Sequence, residues 1–190
     1  SETGDAVADV LFGKVAPSGK LTTTFPRSVG QLPLFYNHLN TGRPDPDNRI
    51  FNRYASNYLD ESNEPLYPFG YGLSYTSFDY SDLHLSALMP RSFEISFKVR
   101  NTGKYDGEEV AQLYLRDEYA SVVQALKQLK HFARFYLKRG EEREVKFILS
   151  EEDFSLVDRN LKKIVEPGTF QIMIGAASND IRLQTKVEIK

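Results

Sequence analysis

The chain has 190 residues and a formal net charge of −2 at pH 7, a length that accommodates one domain or one domain with part of another. It contains 24 basic and 26 acidic residues without a polybasic run, and this balance argues against nucleic acid or an anionic membrane surface as a partner. The absence of cysteine excludes disulfide bonds and thiolate metal ligands, and no apolar run is long enough to cross a membrane.

The first 26 residues predict one helix followed by one strand. The helix covers residues 3–13, with Thr3 as its N-cap, and its apolar face consists of Ala6, Val7, Val10 and Leu11. Residues 21–25 are rich in β-branched side chains and predict a strand. A single helix–strand unit cannot bury a parallel-type strand on both faces. We therefore expect the rest of this α/β domain to precede Ser1.

Residues 27–75 predict a long irregular linker, because they show no sustained period of 2 or 3.6 residues. The run of residues 65–78 contains two prolines, two glycines and five aromatic residues. Aromatic side chains bury large apolar areas when they find a surface, whereas a free tether is rich in Gly and Ser. The run therefore predicts a docked linker, and the residues expected to dock it are Tyr67, Phe69, Tyr71 and Tyr75.

Residues 76–190 predict an antiparallel β-sandwich of the fibronectin type III or immunoglobulin-like class. Apolar residues alternate with polar ones in about seven short segments separated by turn signals. The clearest segment has Phe93, Ile95, Phe97 and Val99 on one face. Residues 151–157 predict a short helical turn between strands. The lack of both cysteine and tryptophan excludes an antibody-type domain.

Three runs of sequence resemble the C-terminal part of bacterial glycoside hydrolase family 3 enzymes, in the branch of the periplasmic β-glucosidases. The first run lies in residues 4–26 and includes Ala8-Asp9-Val10-Leu11-Phe12-Gly13 and Pro17-Ser18-Gly19-Lys20-Leu21. The second combines Tyr36-Asn37-His38 with Thr41-Gly42-Arg43-Pro44. The third is the aromatic run of residues 65–78.

This resemblance implies that the chain consists of three structural parts. Residues 1–26 are expected to end an α/β sandwich domain, residues 27–75 to form the interdomain linker, and residues 76–190 to form a fibronectin type III-like domain. It also implies a retaining, exo-acting β-glucosidase or β-xylosidase, whose chemistry needs two carboxylates about 5 Å apart. In the family these carboxylates lie in an N-terminal barrel and in an earlier part of the α/β domain. No catalytic residue, metal or cofactor is therefore assigned to this chain.

The resemblance also implies partners and a location. The partners are the upstream catalytic barrel and α/β sandwich domains of the same polypeptide, together with a β-glucoside or oligosaccharide substrate. A homodimer remains an open option. The location implied is periplasmic or secreted. We expect neither nucleic acid nor a membrane as a partner.

The candidates for contact with the substrate are Tyr36, Asn37, His38 and Arg43. Phenol, amide and guanidinium groups hydrogen-bond sugar hydroxyls, and aromatic rings stack on pyranose faces. A contact between domains or subunits is the competing interpretation of these residues. The other polar clusters favour structural roles: the acidic pair Asp5 and Asp9 fits the start of a helix, and His38, His84 and His131 lack metal-ligand spacing.

Two further functions are consistent with a β-sandwich. A non-catalytic carbohydrate-binding module is weakened by the absence of tryptophan, which sugar platforms favour. A cell-surface interaction domain leaves the helix and strand of the first 26 residues unexplained. The fold alone does not separate these alternatives, because sandwiches carry many functions.

Overall fold

The computed structural model describes residues 2–44 and 53–190. Within these ranges the chain forms helix α1 (Thr3–Leu11), two 3₁₀ turns (Val29–Gln31 and Glu151–Phe154) and nine strands. The strands are β1 (Phe78–Met89), β2 (Ser92–Asn101), β3 (Gly107–Asp117), β4 (Gln128–Leu137), β5 (Glu142–Leu149), β6 (Leu156–Val157), β7 (Lys163–Ile164), β8 (Gly168–Ala177) and β9 (Asp180–Ile189).

Seven of these strands form a two-sheet sandwich. One sheet has the order β1-β2-β5, the other has the order β4-β3-β8-β9, and all neighbours are antiparallel. Strands β6 and β7 form a separate small hairpin. The predicted antiparallel β-sandwich is therefore confirmed. The helical turn predicted for residues 151–157 is correct for its first four residues, which form the second 3₁₀ turn. Its last two residues instead form strand β6.

The core lies between the two sheets and contains the apolar residues that the alternation predicted. These side chains are 7% exposed or less: Ile95, Phe97, Val99, Ala111, Leu113, Leu115, Val145, Phe147, Leu149, Phe170, Ile172 and Ile174. Residues i and i+2 of a strand share one face, so each strand supplies alternate residues to this layer. At the edge of the core Asn101 is also buried, and its side-chain amide donates to the carbonyl oxygens of Tyr105 and Leu137.

Strands β3 and β8 depart from the alternation, because both of their faces are covered. On β3, Gln112 and Tyr114 point away from the core but are 3% and 0% exposed. On β8, Met173 is likewise buried on the outer side. The linker lies over this face, so the four-stranded sheet carries a second packed layer.

Helix α1 lies at the predicted place. None of its side chains is buried within the described part of the chain. Two of its apolar residues, Val7 and Leu11, are 52% and 73% exposed. The prediction that Thr3 caps the helix is wrong. Glu2 occupies the N-cap position without a side-chain cap, and Thr3 is the first helical residue. Among the described residues, no helix combines the length and apolar character needed to cross a membrane.

The strand predicted for residues 21–25 is wrong for the described chain. This segment forms only an isolated bridge, from Phe25 to Tyr67. A strand needs a neighbouring strand to complete its backbone hydrogen bonds. Here that neighbour is the irregular linker, which offers bonds at a few points only.

Candidate functional site at the docked linker

The end of the linker, residues 66–71, binds the N-terminal segment through its backbone. Gly70 N donates to Leu21 O at 2.8 Å, and Phe25 N donates to Tyr67 O at 2.8 Å. These bonds satisfy polar backbone groups that a sheet would otherwise pair. These backbone bonds thus attach the N-terminal segment to the linker.

The same stretch of linker binds the sandwich on its other side. Ser178 N donates to Phe69 O at 2.9 Å. The buried side-chain amide of Gln112 donates to Gly70 O at 3.2 Å and to Ala176 O at 2.8 Å. Gln112 therefore joins the linker, strand β3 and strand β8 at one point.

Aromatic packing reinforces this contact. The ring of Tyr36 stacks on Phe69, with centroids 4.2 Å apart and an interplanar angle of 20°. Tyr36 also meets Tyr114 edge to face at 5.9 Å, and its hydroxyl oxygen accepts a hydrogen bond from Leu129 N. Tyr114 donates its hydroxyl proton to Gln112 Oε1. Burial raises the pKa of the Tyr114 hydroxyl.

The four residues predicted to dock the linker face two different partners. Phe69 lies against the sandwich through Tyr36, as described above. The other three face the N-terminal segment. Tyr67 packs on Tyr71 with centroids 5.1 Å apart, and its ring also meets Phe25 at 6.5 Å. The Tyr75 hydroxyl donates to Val10 O, at the end of α1, at 2.6 Å.

An ion pair joins the N-terminal segment directly to the sandwich. Lys20 Nζ lies 3.0 Å from Glu109 Oε1, and the two side chains are only 18% and 7% exposed. Beside this pair, Ser18 Oγ donates to Glu108 Oε2 at 3.0 Å. Arg134 also binds Glu108 and lowers the pKa of that carboxyl group. None of these contacts could be found from the sequence, because the partners lie far apart along the chain.

A cleft of about 790 Å³ lies next to this ion pair, between the N-terminal segment and the end of the sandwich. Its walls include Lys20, Glu109 and Tyr80. Arg182 lies over the Tyr80 ring, 4.9 Å from its centroid. Burial raises the pKa of the Tyr80 hydroxyl.

The residues predicted to lie near substrate separate into two groups. Tyr36 belongs to the docking contact, half-buried between Phe69 and the sandwich, whereas Asn37, His38 and Arg43 are exposed. The backbone of this exposed segment is held at both ends, because Leu126 N donates to His38 O at 3.0 Å and Ser56 N donates to Arg43 O at 2.8 Å. In residues 2–44 and 53–190, no cluster of three His, Asp or Glu side chains could hold a metal ion.

The fold and the site define a class of protein: a β-sandwich domain to which a docked linker fixes an N-terminal segment that contains one short helix. Sequence comparison places this arrangement in a family. The family described as "Glycosyl hydrolase family 3 C-terminal domain" matches residues 1–75. The family described as "Fibronectin type III-like domain" matches residues 109–178.

Comparison with individual proteins points to the same family. The chain is 49% identical over 186 residues to a periplasmic beta-glucosidase of Salmonella typhimurium, covering 96% of this chain and 24% of that protein. It is 46% identical over 185 residues to a beta-xylosidase of Formosa agariphila, with 96% and 24% coverage. The crystal structure of a beta-glucosidase from Listeria innocua in complex with glucose superposes with a TM-score of 0.89 at 42% identity, over 98% of this chain and 26% of that one.

These findings confirm the resemblance that the sequence indicated. Residues 1–75 match the C-terminal domain of glycosyl hydrolase family 3, and residues 109–178 match the fibronectin type III-like domain. It spans about a quarter of the length of the relatives it matches.

Substitution of Gly70 by Ala should detach the linker. Gly70 has a φ of 79°, and a Cβ there would lie 2.1 Å from Gln112 Oε1. We expect a loss of unfolding free energy of about 3 kcal/mol, since the left-handed conformation and the disturbed buried amide both contribute. Urea denaturation followed by circular dichroism measures this loss. Gly140→Ala is the matched control, with a φ of 77° and open space around it, and should cost about 1 kcal/mol. Equal losses for the two variants would contradict the docking role of Gly70.

Substitution of Lys20 by Met should leave the Glu109 carboxylate buried without its cation. We expect a loss of unfolding free energy of about 2 kcal/mol or more, which Lys20→Met combined with Glu109→Gln should largely restore. The control is Lys14→Met, because Lys14 pairs with Asp9 at the same 3.0 Å but is 73% exposed, and this change should cost about 0.5 kcal/mol. Additive losses in the double variant, measured by urea denaturation, would show that the two side chains act independently.

Proposed function

We propose that this chain is the C-terminal portion of a retaining, exo-acting β-glycosidase that hydrolyses terminal β-linked glucose or xylose. In this proposal the catalytic carboxylates lie in upstream domains of the same polypeptide, a catalytic barrel and the main part of an α/β sandwich. The portion described here stabilises the protein and sets the arrangement of its domains. The division into residues 1–26, 27–75 and 76–190 is part of the same proposal.

The observation that carries this proposal is the two-sided docking of the linker. Residues 66–71 hydrogen-bond the N-terminal segment on one side and the sandwich on the other. The Lys20–Glu109 ion pair bridges the same two parts independently. A linker held in this way fixes the orientation of whatever precedes it, whereas a Gly- and Ser-rich tether would not.

The substrate class rests on the names of the relatives, which are beta-glucosidases and beta-xylosidases. Within this class we propose that Asn37, His38 and Arg43 lie near the substrate in the whole enzyme, since all three are exposed. Tyr36 would support them by fixing the start of this segment against Phe69. The name of the Salmonella typhimurium relative supports a periplasmic or secreted location. A homodimer stays a prediction.

The test compares this chain with the complete product of the native reading frame that contains it. The complete product should hydrolyse a 4-nitrophenyl β-glucoside or β-xyloside with retention of the anomeric configuration, followed by absorbance and by ¹H NMR of the released sugar. The 190-residue chain alone should show no turnover. An inactive or inverting complete product would contradict the proposed activity. Turnover by the 190-residue chain would contradict the supporting role given to this portion.

A further inference from the structure

The cleft beside the Lys20–Glu109 ion pair is large enough for a small molecule. Its volume of about 790 Å³ falls in the range of about 300–1,000 Å³ that is typical of ligand sites. The wall includes the end of the linker, the start of strand β1 and the turn between strands β8 and β9. A ligand in this space would therefore contact three parts of the chain that are distant in sequence.

Most charged side chains in the cleft wall are paired within the chain. Lys20 binds Glu109 at 3.0 Å, and Arg182 binds Asp180 at 2.9 Å. Glu108 is likewise paired, with an arginine outside the wall. These pairs leave little charge free for a ligand, so the cleft is poorly suited to a strongly charged molecule such as a phosphate ester.

Other polar side chains in the wall have no partner in the described part of the chain. Asp79 and Asn179 are exposed, and neither side chain forms a hydrogen bond or an ion pair there. Ser77 and Ser81 are exposed in the same wall. A carboxylate accepts hydrogen bonds, whereas amide and hydroxyl groups both donate and accept them. This set complements a ligand that carries several hydroxyl groups.

The ring of Tyr71 gives the cleft an aromatic surface. Tyr67 packs on this ring with centroids 5.1 Å apart, and the carbonyl oxygen of Tyr71 accepts a hydrogen bond from Leu21 N at 2.8 Å. Leu73, in the same wall, is 69% exposed. A side chain that is already held in place loses little conformational freedom when a ligand packs on it. Aromatic rings of this kind pack on the faces of pyranose sugars.

The wall also contains one buried polar atom without a partner. The hydroxyl oxygen of Tyr80 forms no hydrogen bond among the described residues, and the guanidinium group of Arg182 lies over the ring. Buried hydroxyl groups generally have a hydrogen-bond partner. A ligand with hydroxyl groups beside Arg182 is one source of that partner.

We propose that this cleft is a non-catalytic binding site for a neutral sugar of the size of a mono- or disaccharide. Asp79 and Asn179 would bind its hydroxyl groups, and Tyr71 would pack against one face of a sugar ring. The fixed tyrosine takes the place of the tryptophan that sugar platforms favour. The site goes beyond the proposed function and does not depend on it, because its residues all belong to this chain and none has a catalytic role.

NMR titration of the isotope-labelled 190-residue chain with thiocellobiose tests the binding. This sulfur-linked disaccharide of glucose resists hydrolysis by glycosidases. We expect saturable shifts of the amide signals of the cleft wall. Asp79→Ala should lower the association constant about tenfold and Asn179→Ala about fivefold, because a charge-assisted hydrogen bond contributes more than a neutral one. The control is Asp60→Ala, which removes an exposed carboxylate outside the cleft and should leave the constant unchanged.

The same spectra show whether each variant is folded, and both substituted side chains are exposed. The absence of saturable shifts in the unsubstituted chain would overturn the proposal. Equal association constants for Asp79→Ala, Asn179→Ala and Asp60→Ala would overturn it as well. Glucuronate binding more tightly than glucose would contradict a neutral ligand.

Thiol labelling tests whether the site is open in the complete product of the native reading frame. This chain contains no cysteine, so Leu73→Cys places one thiol in the cleft wall. Thiocellobiose at about five times its Kd should slow labelling by N-ethylmaleimide about sixfold, because only the unliganded fraction reacts. Peptide mass spectrometry measures the rate at that position, in the complete product and in the 190-residue chain.

Val123→Cys is the matched control, because Val123 is 71% exposed and lies outside the cleft. Its labelling should not respond to the sugar in either protein. A rate for Leu73→Cys that does not respond to the sugar in the complete product would overturn the proposal. Hydrolysis of glycosides by the complete product is measured separately, so the outcome for this site is distinguishable from the outcome for the proposed activity.

Discussion

The arrangement of this chain depends on the buried side-chain amide of Gln112. Its nitrogen donates to the linker at Gly70 and to strand β8 at Ala176, and its oxygen accepts from Tyr114. Buried polar groups need hydrogen-bond partners, so separation of the linker would leave this amide and the carbonyl groups unpaired or open to water. The close approach also explains glycine at position 70, because a Cβ would occupy the space of the Gln112 side chain.

The rest of the junction follows from this contact. Phe69 and Gly70 are held on the sandwich, and the neighbouring linker residues present their backbone to Leu21 and Phe25. The N-terminal segment is then close enough for Lys20 to reach Glu109 at the end of the core. Helix α1 remains on the outside, with its apolar residues exposed.

The sequence predicted the sandwich because a period of two is a local signal, which each core strand such as β2 carries in its own residues. It also located α1 and the docked character of the linker. The junction was less predictable, since Gln112 and Lys20 have partners distant in sequence. The uninterrupted run Leu113-Tyr114-Leu115 was a usable sequence signal that both faces of β3 are covered, and the structure buries all of residues 111–115. The strand at residues 21–25 was overpredicted because β propensity says nothing about whether a neighbouring strand is present.

Amide hydrogen exchange of the unsubstituted 190-residue chain, read by peptide mass spectrometry, tests the central claim most directly. The claim is that the linker is a fixed part of the sandwich rather than a tether. Peptides covering residues 66–71 should be protected for as long as those covering residues 172–178, while peptides from α1 should exchange much earlier, because α1 has no buried side chain. Exchange of residues 66–71 as rapid as that of α1 would contradict the account.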